Sequence, residues 1–135
     1  MTHCASCTCG QLHLTCEGEP VRVSMCHCLA CQRRTGSAFG VQARFPRDRA
    51  KVEGRSTVYI RVGDSGNPIT FHFCPVCGST VYWELKQLPD FIAVALGAFA
   101  DPDFAPPKIS VYEERAHRWV LPATAGIEQH MADRN

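Results

Sequence analysis

The chain has 135 residues, nine of them cysteine, with 14 Lys plus Arg against 13 Asp plus Glu and a formal net charge of +1. That length suits one domain with a real hydrophobic core, and the near-neutral balance disfavours a strongly basic nucleic-acid binder. No apolar run approaches the roughly 18 residues of a membrane span. An odd number of cysteines, behind an N-terminus (MTHCASCTCG) without an apolar leader, argues against a secreted disulfide framework and for a reducing, cytoplasmic setting.

In chain order, apolar residues alternate with period two at Leu12, Leu14 and Cys16, then at Val21, Val23 and Met25. Each set lines one face of a short strand. Leu29 to Arg34 allows one or two helical turns, stopped by Gly36. Alternation resumes at Val58, Ile60 and Val62, at Ile69, Phe71 and Phe73, and at Val81, Trp83 and Leu85. Phe91 to Leu96 is apolar throughout, as a strand covered on both sides would be. Ile109 and Val111 mark a last strand, and Ala123 to Arg134 is a weak helix candidate interrupted by Gly126. Pro, Gly and Asp separate these segments, and Ala105-Pro106-Pro107 is a connector too short to divide the chain. With no alternation of strand and helix, the expectation is an all-β fold of small antiparallel sheets, residues 1–135 forming a single domain.

The cysteines fall into groups. Cys7-Thr8-Cys9-Gly10 and Cys74-Pro75-Val76-Cys77-Gly78 each offer two close sulfurs followed by glycine. Structural zinc takes four thiolate or imidazole ligands at about 2.3 Å, usually from two such pairs, and a glycine after the second Cys accepts positive φ at little cost. Cys7, Cys9, Cys74 and Cys77 therefore read as one closed four-sulfur zinc site. Two alternatives stand beside it: Cys4 replacing Cys7 or Cys9, and a redox pair at Cys74 and Cys77. The redox pair would want a following helix, whereas Ser79 to Leu85 reads as a strand.

Cys26-His27-Cys28-Leu29-Ala30-Cys31 is a different object. Spacing of i, i+2 on a strand and i, i+3 on a helical turn brings three sulfurs to one point. Because Val21, Val23 and Met25 share a face, Cys26 and Cys28 are expected on the other, looking outward. Three protein ligands with an exchangeable fourth position is the arrangement of catalytic zinc. Three thiolates leave the ion with a net negative formal charge, so sulfur is its natural fourth ligand and a bound thiol stays deprotonated yet nucleophilic. The alternative is a second structural zinc or reduced core cysteines. Arg33 and Arg34, just beyond the triplet, are candidate substrate-binding residues, since guanidinium pairs bidentately with carboxylate; Thr35 and Ser37 carry a weaker signal.

These motifs resemble the glutathione-dependent formaldehyde-activating enzyme family, which includes centromere protein V-like domains. The match runs through Cys7-x-Cys9-Gly10, Cys26-His27-Cys28-x-x-Cys31-Gln32-Arg33-Arg34-Thr35-Gly36-Ser37-Ala38-Phe39 and Phe73-Cys74-x-x-Cys77-Gly78-Ser79, and on through Val94-Ala95-Leu96-Gly97 to Arg118-Trp119. The resemblance implies a β-tent-like fold. It also implies one structural zinc on Cys7, Cys9, Cys74 and Cys77 and one catalytic zinc on Cys26, Cys28 and Cys31. The implied activity joins glutathione to formaldehyde, a carbon-sulfur lyase reaction in reverse. The alternative is a structural zinc-binding interaction module without catalysis. Partners expected are a small thiol such as glutathione, no nucleic acid and no membrane, with room for a homo-oligomer. Ala5-Ser6 and the extra Cys4 and Cys16 depart from the family pattern; Cys16, in phase with Leu12 and Leu14, reads as a core thiol. His72, Tyr82, Trp83, Glu84 and Trp119 read as packing or solvated strand residues, with proton transfer by Glu84 the less favoured alternative.

Overall fold

Strands form where the apolar residues alternate, and they stop where Gly, Pro and Asp interrupt them. The computed structural model describes residues 1–132, the side chains of 122 and 123 excepted. Its elements are β1 (Thr2–Ser6), β2 (His13–Glu17), β3 (Arg22–Cys26), α1 (Leu29–Thr35), β4 (Gly40–Pro46), β5 (Ala50–Glu53), β6 (Thr57–Val62), β7 (Pro68–Phe73), β8 (Thr80–Leu85), β9 (Phe91–Ala95), β10 (Ile109–Val111) and β11 (Gln129–Met131). The all-β expectation holds, with α1 the one α-helix among the described residues. The chain divides into two compact units: Met1–Val21 with Ala43–Phe104, and Arg22–Gln42 with the chain from Ala105 onward.

In the first unit, β1, β2 and β5 form an antiparallel sheet, Thr2 opposite Glu17 and Leu14 opposite Val52. Ala5, Leu12, Leu14 and Cys16 are fully buried, so Cys16 is the core thiol its phase implies. A second antiparallel run has the order β9-β8-β7-β6. Its core is Ile69, Phe71, Trp83, Leu85 and Ala93, with the large side chains each contributing about 1.5–3 kcal/mol by leaving water. β9 is covered on both faces, as its unbroken apolar run requires. β6 departs from expectation: Val58, Ile60 and Val62 alternate as a core face should, yet they are 50%, 59% and 64% exposed at the end of the strand order. A further cluster packs the His3 ring against Phe45, Phe99 and Phe104, with centroids 4.9 to 6.3 Å away.

In the second unit β10 lies between β3 and β11 and runs parallel to both, where antiparallel pairing was expected. Parallel neighbours need a long crossover, and the chain between β3 and β10 supplies one. Val23, Ser24 and Met25 are all buried, so β3 has no outward face and the expected outward-looking side of the strand is absent. Val21, expected on the buried face, is 56% exposed. α1 keeps its expected start, and Gly36 caps it in the left-handed conformation (φ +66) with its N–H on the Gln32 carbonyl. The helix expected from Ala123 does not form; a short 3-10 turn over Leu121–Thr124 and then β11 occupy that stretch, and residues 133 and 134 lie outside the described residues.

One close approach fixes the first unit. Gly54 has φ +95, and a Cβ there would sit 1.8 Å from the Gln11 carbonyl oxygen. Gly54→Ala is expected to lower the unfolding free energy by about 2–4 kcal/mol, read as a fall in the thermal midpoint of the metal-loaded protein. Gly66→Ala, at φ +87 with nothing within 4 Å, should cost about 1 kcal/mol.

Candidate metal centres

Cys7, Cys9, Cys74 and Cys77 converge in the first unit with all four sulfurs within 4.8 Å of one another. The Cys7 and Cys9 sulfurs lie 3.6 Å apart and those of Cys9 and Cys74 3.7 Å. Those edges fit a tetrahedron of Zn–S bonds of about 2.3 Å, whose sulfurs stand about 3.8 Å apart. Both pairs sit on tight turns. Gly10 (φ +87) and Gly78 (φ +80) take the expected positive φ and donate their N–H groups to the Cys7 and Cys74 carbonyls. The sulfurs themselves accept from other donors. Leu12 N–H donates to Cys7 Sγ at 3.3 Å, and Val76 and Cys77 N–H to Cys74 Sγ at 3.4 and 3.5 Å.

Gln11 is the residue sequence reasoning missed. Its Nε2 donates to Cys74 Sγ at 2.9 Å and to the Arg55 carbonyl at 2.8 Å, while its Oε1 accepts from Arg55 N–H at 2.9 Å. Ser79 plays a similar part: its hydroxyl lies 3.0 Å from Thr8 Oγ1, accepts from Thr8 N–H, and stands 3.5 Å from Cys77 Sγ. The Ser79 hydroxyl and backbone, followed by the Cys9 backbone, bring the Cys77 thiol down to about 5. Cys9 moves the other way, to about 11: the Gln11 backbone pulls it down, but desolvation and the sulfurs of Cys7, Cys74 and Cys77 outweigh that pull. Four sulfurs this close cannot all be anionic without a counter-charge, and a divalent cation among them removes the conflict.

The second cluster lies in the second unit. Cys26, Cys28 and Cys31 bring three sulfurs within 4.8 Å of one another, with no fourth His, Cys, Asp or Glu in the group among the described residues. Cys28 is the N-cap of α1, and its sulfur accepts the Cys31 N–H at 3.3 Å. Cys28 and Cys31 are buried and Cys26 only partly, which corrects the outward-looking placement expected for Cys28. The Cys26 thiol is pushed far up, first by the Cys28 and Cys31 sulfurs and then by burial. Tyr112, a left-handed residue (φ +56), packs on Cys28 and Cys31 with Val111, storing about 1 kcal/mol or more of backbone strain beside the cluster.

Two further residues brace this cluster, and neither had an assigned role. His27 is fully buried, with Nε2 3.0 Å from Ser110 Oγ and its backbone N–H on the Val111 carbonyl; burial lowers its pKa. Gln32 Nε2 donates to the His27 and Arg115 carbonyls at 2.9 and 3.0 Å, and His117 Nε2 stands 3.0 Å from Gln32 Oε1. The available sequence signal was position: Gln11 follows Cys9-Gly10, Ser79 follows Cys77-Gly78 and Gln32 follows Cys31.

The other expected residues are placed as follows. Arg33 is exposed on the last turn of α1. Arg34 lies along Gly40, where an added Cβ would be 2.8 Å from its guanidinium and 3.5 Å from Cys31 Cβ. Thr35 Oγ1 donates to the Cys31 carbonyl and accepts from Ser37 N–H, a helix-end role. In the first unit His72 stacks on Tyr82, its Nδ1 2.9 Å from Ser56 Oγ and its Nε2 2.7 Å from Glu84 Oε1. Burial alone would raise the Glu84 carboxyl, but hydrogen bonds from Arg47 and His72 hold it below the usual range. Glu84 is thus a paired strand carboxylate.

Two cysteine clusters, one on turns between strands and one where β3 gives way to α1, define a β protein able to ligate metal at two centres. Residues 2–115 match the family described as Glutathione-dependent formaldehyde-activating enzyme, and the chain belongs to that family. A crystal structure of a Rhodobacter sphaeroides protein is similar over 76% of this chain and 91% of that one, with a TM-score of 0.55 at 19% identity, a likeness of fold. No curated protein matches the chain. No helix among the described residues is long and apolar enough to cross a membrane.

Removing the Gln11 amide should weaken metal at the four-sulfur centre without touching a ligand. Gln11→Ala is expected to lower its zinc affinity about 10–100-fold in competition with a chromophoric chelator, whereas Gln87→Ala, at an exposed site, should change nothing.

Proposed function

We propose that the chain is a zinc-dependent enzyme joining a glutathione-like thiol to a small carbonyl such as formaldehyde, and cleaving the adduct in reverse. The supporting observation is the contrast between a four-sulfur cluster complete in protein ligands and a three-sulfur cluster with none further in its group. In this reading Cys7, Cys9, Cys74 and Cys77 hold a structural zinc. Cys26, Cys28 and Cys31 would hold the catalytic one, which when bound would offer a coordination position to a substrate thiolate.

The chain's own residues do the rest. Cys31 N–H on Cys28 Sγ, His27 on Ser110 and Gln32 on the His27 carbonyl fix the three sulfurs before substrate arrives. Arg33 and Arg34 offer guanidiniums to a dicarboxylate thiol. In the addition, the substrate sulfur forms a bond to the carbonyl carbon, the C=O π pair moves to oxygen, and that oxygen takes the proton the thiol gave up. Nine free cysteines suit a reducing compartment, and cytoplasmic residence is part of the proposal.

X-ray absorption of the two-zinc protein tests the reading. Adding glutathione is expected to raise the mean sulfur coordination at zinc, and Cys28→Ser should abolish both that change and adduct formation while the fold survives. Cys74→Ser should instead unfold the first unit. Two zincs indifferent to thiol, or a Cys28→Ser variant as destabilised as Cys74→Ser, would sink the enzyme reading and leave a structural interaction module.

A further inference from the structure

The unexplained feature of the first unit is β6. Its sequence Thr57-Val58-Tyr59-Ile60-Arg61-Val62 is strongly strand-forming, yet it ends the strand order and leaves Val58, Tyr59, Ile60 and Val62 between 50% and 64% exposed. Edge strands are commonly protected by a proline, a bulge or an inward charge. β6 has no proline and no bulge, pairing with β7 in unbroken register from Thr57 opposite Phe73 to Val62 opposite Pro68; its one charge, Arg61, turns to the face of Ile69 and Phe71 and leaves the opposite face apolar.

The backbone settles which groups are open. Gly63 N–H donates to the Asn67 carbonyl in the same register, so Thr57, Tyr59 and Arg61 form the hydrogen-bonded pairs with β7. Val58, Ile60 and Val62 therefore turn their N–H and C=O groups outward. These are also the residues whose side chains share one apolar face.

We propose that β6 is a self-docking edge, on which two copies of this chain pair antiparallel about a two-fold axis at Ile60. In that register Ile60 meets the partner's Ile60, Val58 meets the partner's Val62, and each facing pair exchanges both backbone hydrogen bonds. The side chains fit the same register independently. Tyr59 stands opposite the partner's Arg61 in a close non-hydrogen-bonded pair, where a guanidinium over a phenol ring is favourable and no like charges meet. Arg61 already stacks on a ring in this way, its guanidinium carbon 5.3 Å from the Phe71 centroid. Any one-residue shift would set outward backbone groups against inward ones and apolar side chains against Arg61. A foreign strand could use the backbone groups but has no reason to match both apolar and Tyr–Arg pairs; the chain's own β6 does.

Sedimentation velocity on the metal-loaded full chain, over a wide concentration range, is the test. A reversible dimer is expected. Ile60→Lys should weaken it about tenfold or more while metal content and circular dichroism stay unchanged, and Val52→Lys on β5 should leave it intact. Tyr59→Arg, which sets two guanidiniums face to face, should dissociate the dimer, and adding Arg61→Glu should restore it. A monomer at every concentration overturns the proposal, whether or not it takes up an added extended peptide. So does a dimer insensitive to Ile60→Lys, and failure of the Tyr59→Arg, Arg61→Glu pair to recover overturns the register.

Discussion

Thiols drawn within 4.8 Å of one another cannot all ionise in the absence of a cation, and the rest of the first unit is arranged around that constraint. Cys9 and Cys74 are 65 positions apart, yet their sulfurs lie 3.7 Å from each other. The groups that hold them there are polar: two glycines closing the knuckles, backbone N–H groups aimed at sulfur, and Gln11 reaching Arg55 and Cys74 with one amide. Because Gly54 abuts the Gln11 carbonyl, the end of β5 is set against the residue that follows the Cys7–Gly10 turn. A cation held there would couple its binding to the folding of this unit.

The second unit shows the same devices with a different result. Its three sulfurs are braced by a helix start, by a buried His27 and by Gln32, so their positions are as well determined as those of the four. What differs is the ligand count. A full set of four satisfies a cation and leaves no coordination site for substrate, whereas a rigid set of three leaves binding capacity in a fixed place. Rigidity matters here because three crowded thiols would otherwise rotate apart to relieve their mutual repulsion; Tyr112, packed over Cys28 and Cys31 in a strained backbone conformation, opposes that relaxation.

Ligand spacing was readable in the sequence because it is a local rule. Cys74-x-x-Cys77-Gly78 dictates its own turn, and Leu29 to Gly36 its own helix with its own stop. Features that depend on distant partners were not readable. The partners of Gln11 lie 44 and 63 positions away, and the parallel pairing of β10 is decided by strands on either side of it that are remote in sequence. Period-two alternation reports that Val58, Ile60 and Val62 share a face, not that anything covers that face. The same logic misplaced Cys28: β3 ends at Cys26, so Cys28 leaves the strand and caps α1, where it is buried.

The interleaving of the two units bears on how the protein is made. Cys4 through Cys31 leave the ribosome before Cys74 and Cys77 exist, and at about 5–20 residues per second the gap is about 2–9 s. During that interval the thiols available beside Cys7 and Cys9 are Cys4, Cys16 and the triplet at Cys26, Cys28 and Cys31. A metal ion taken up early therefore meets the wrong combination of sulfurs first. Were metal taken up then, sorting the sulfurs into groups of four and three would need ligand exchange, which thiolate–metal bonds permit and disulfides would make slow. A chain built this way is better served by labile coordination in a reducing milieu than by covalent cross-links.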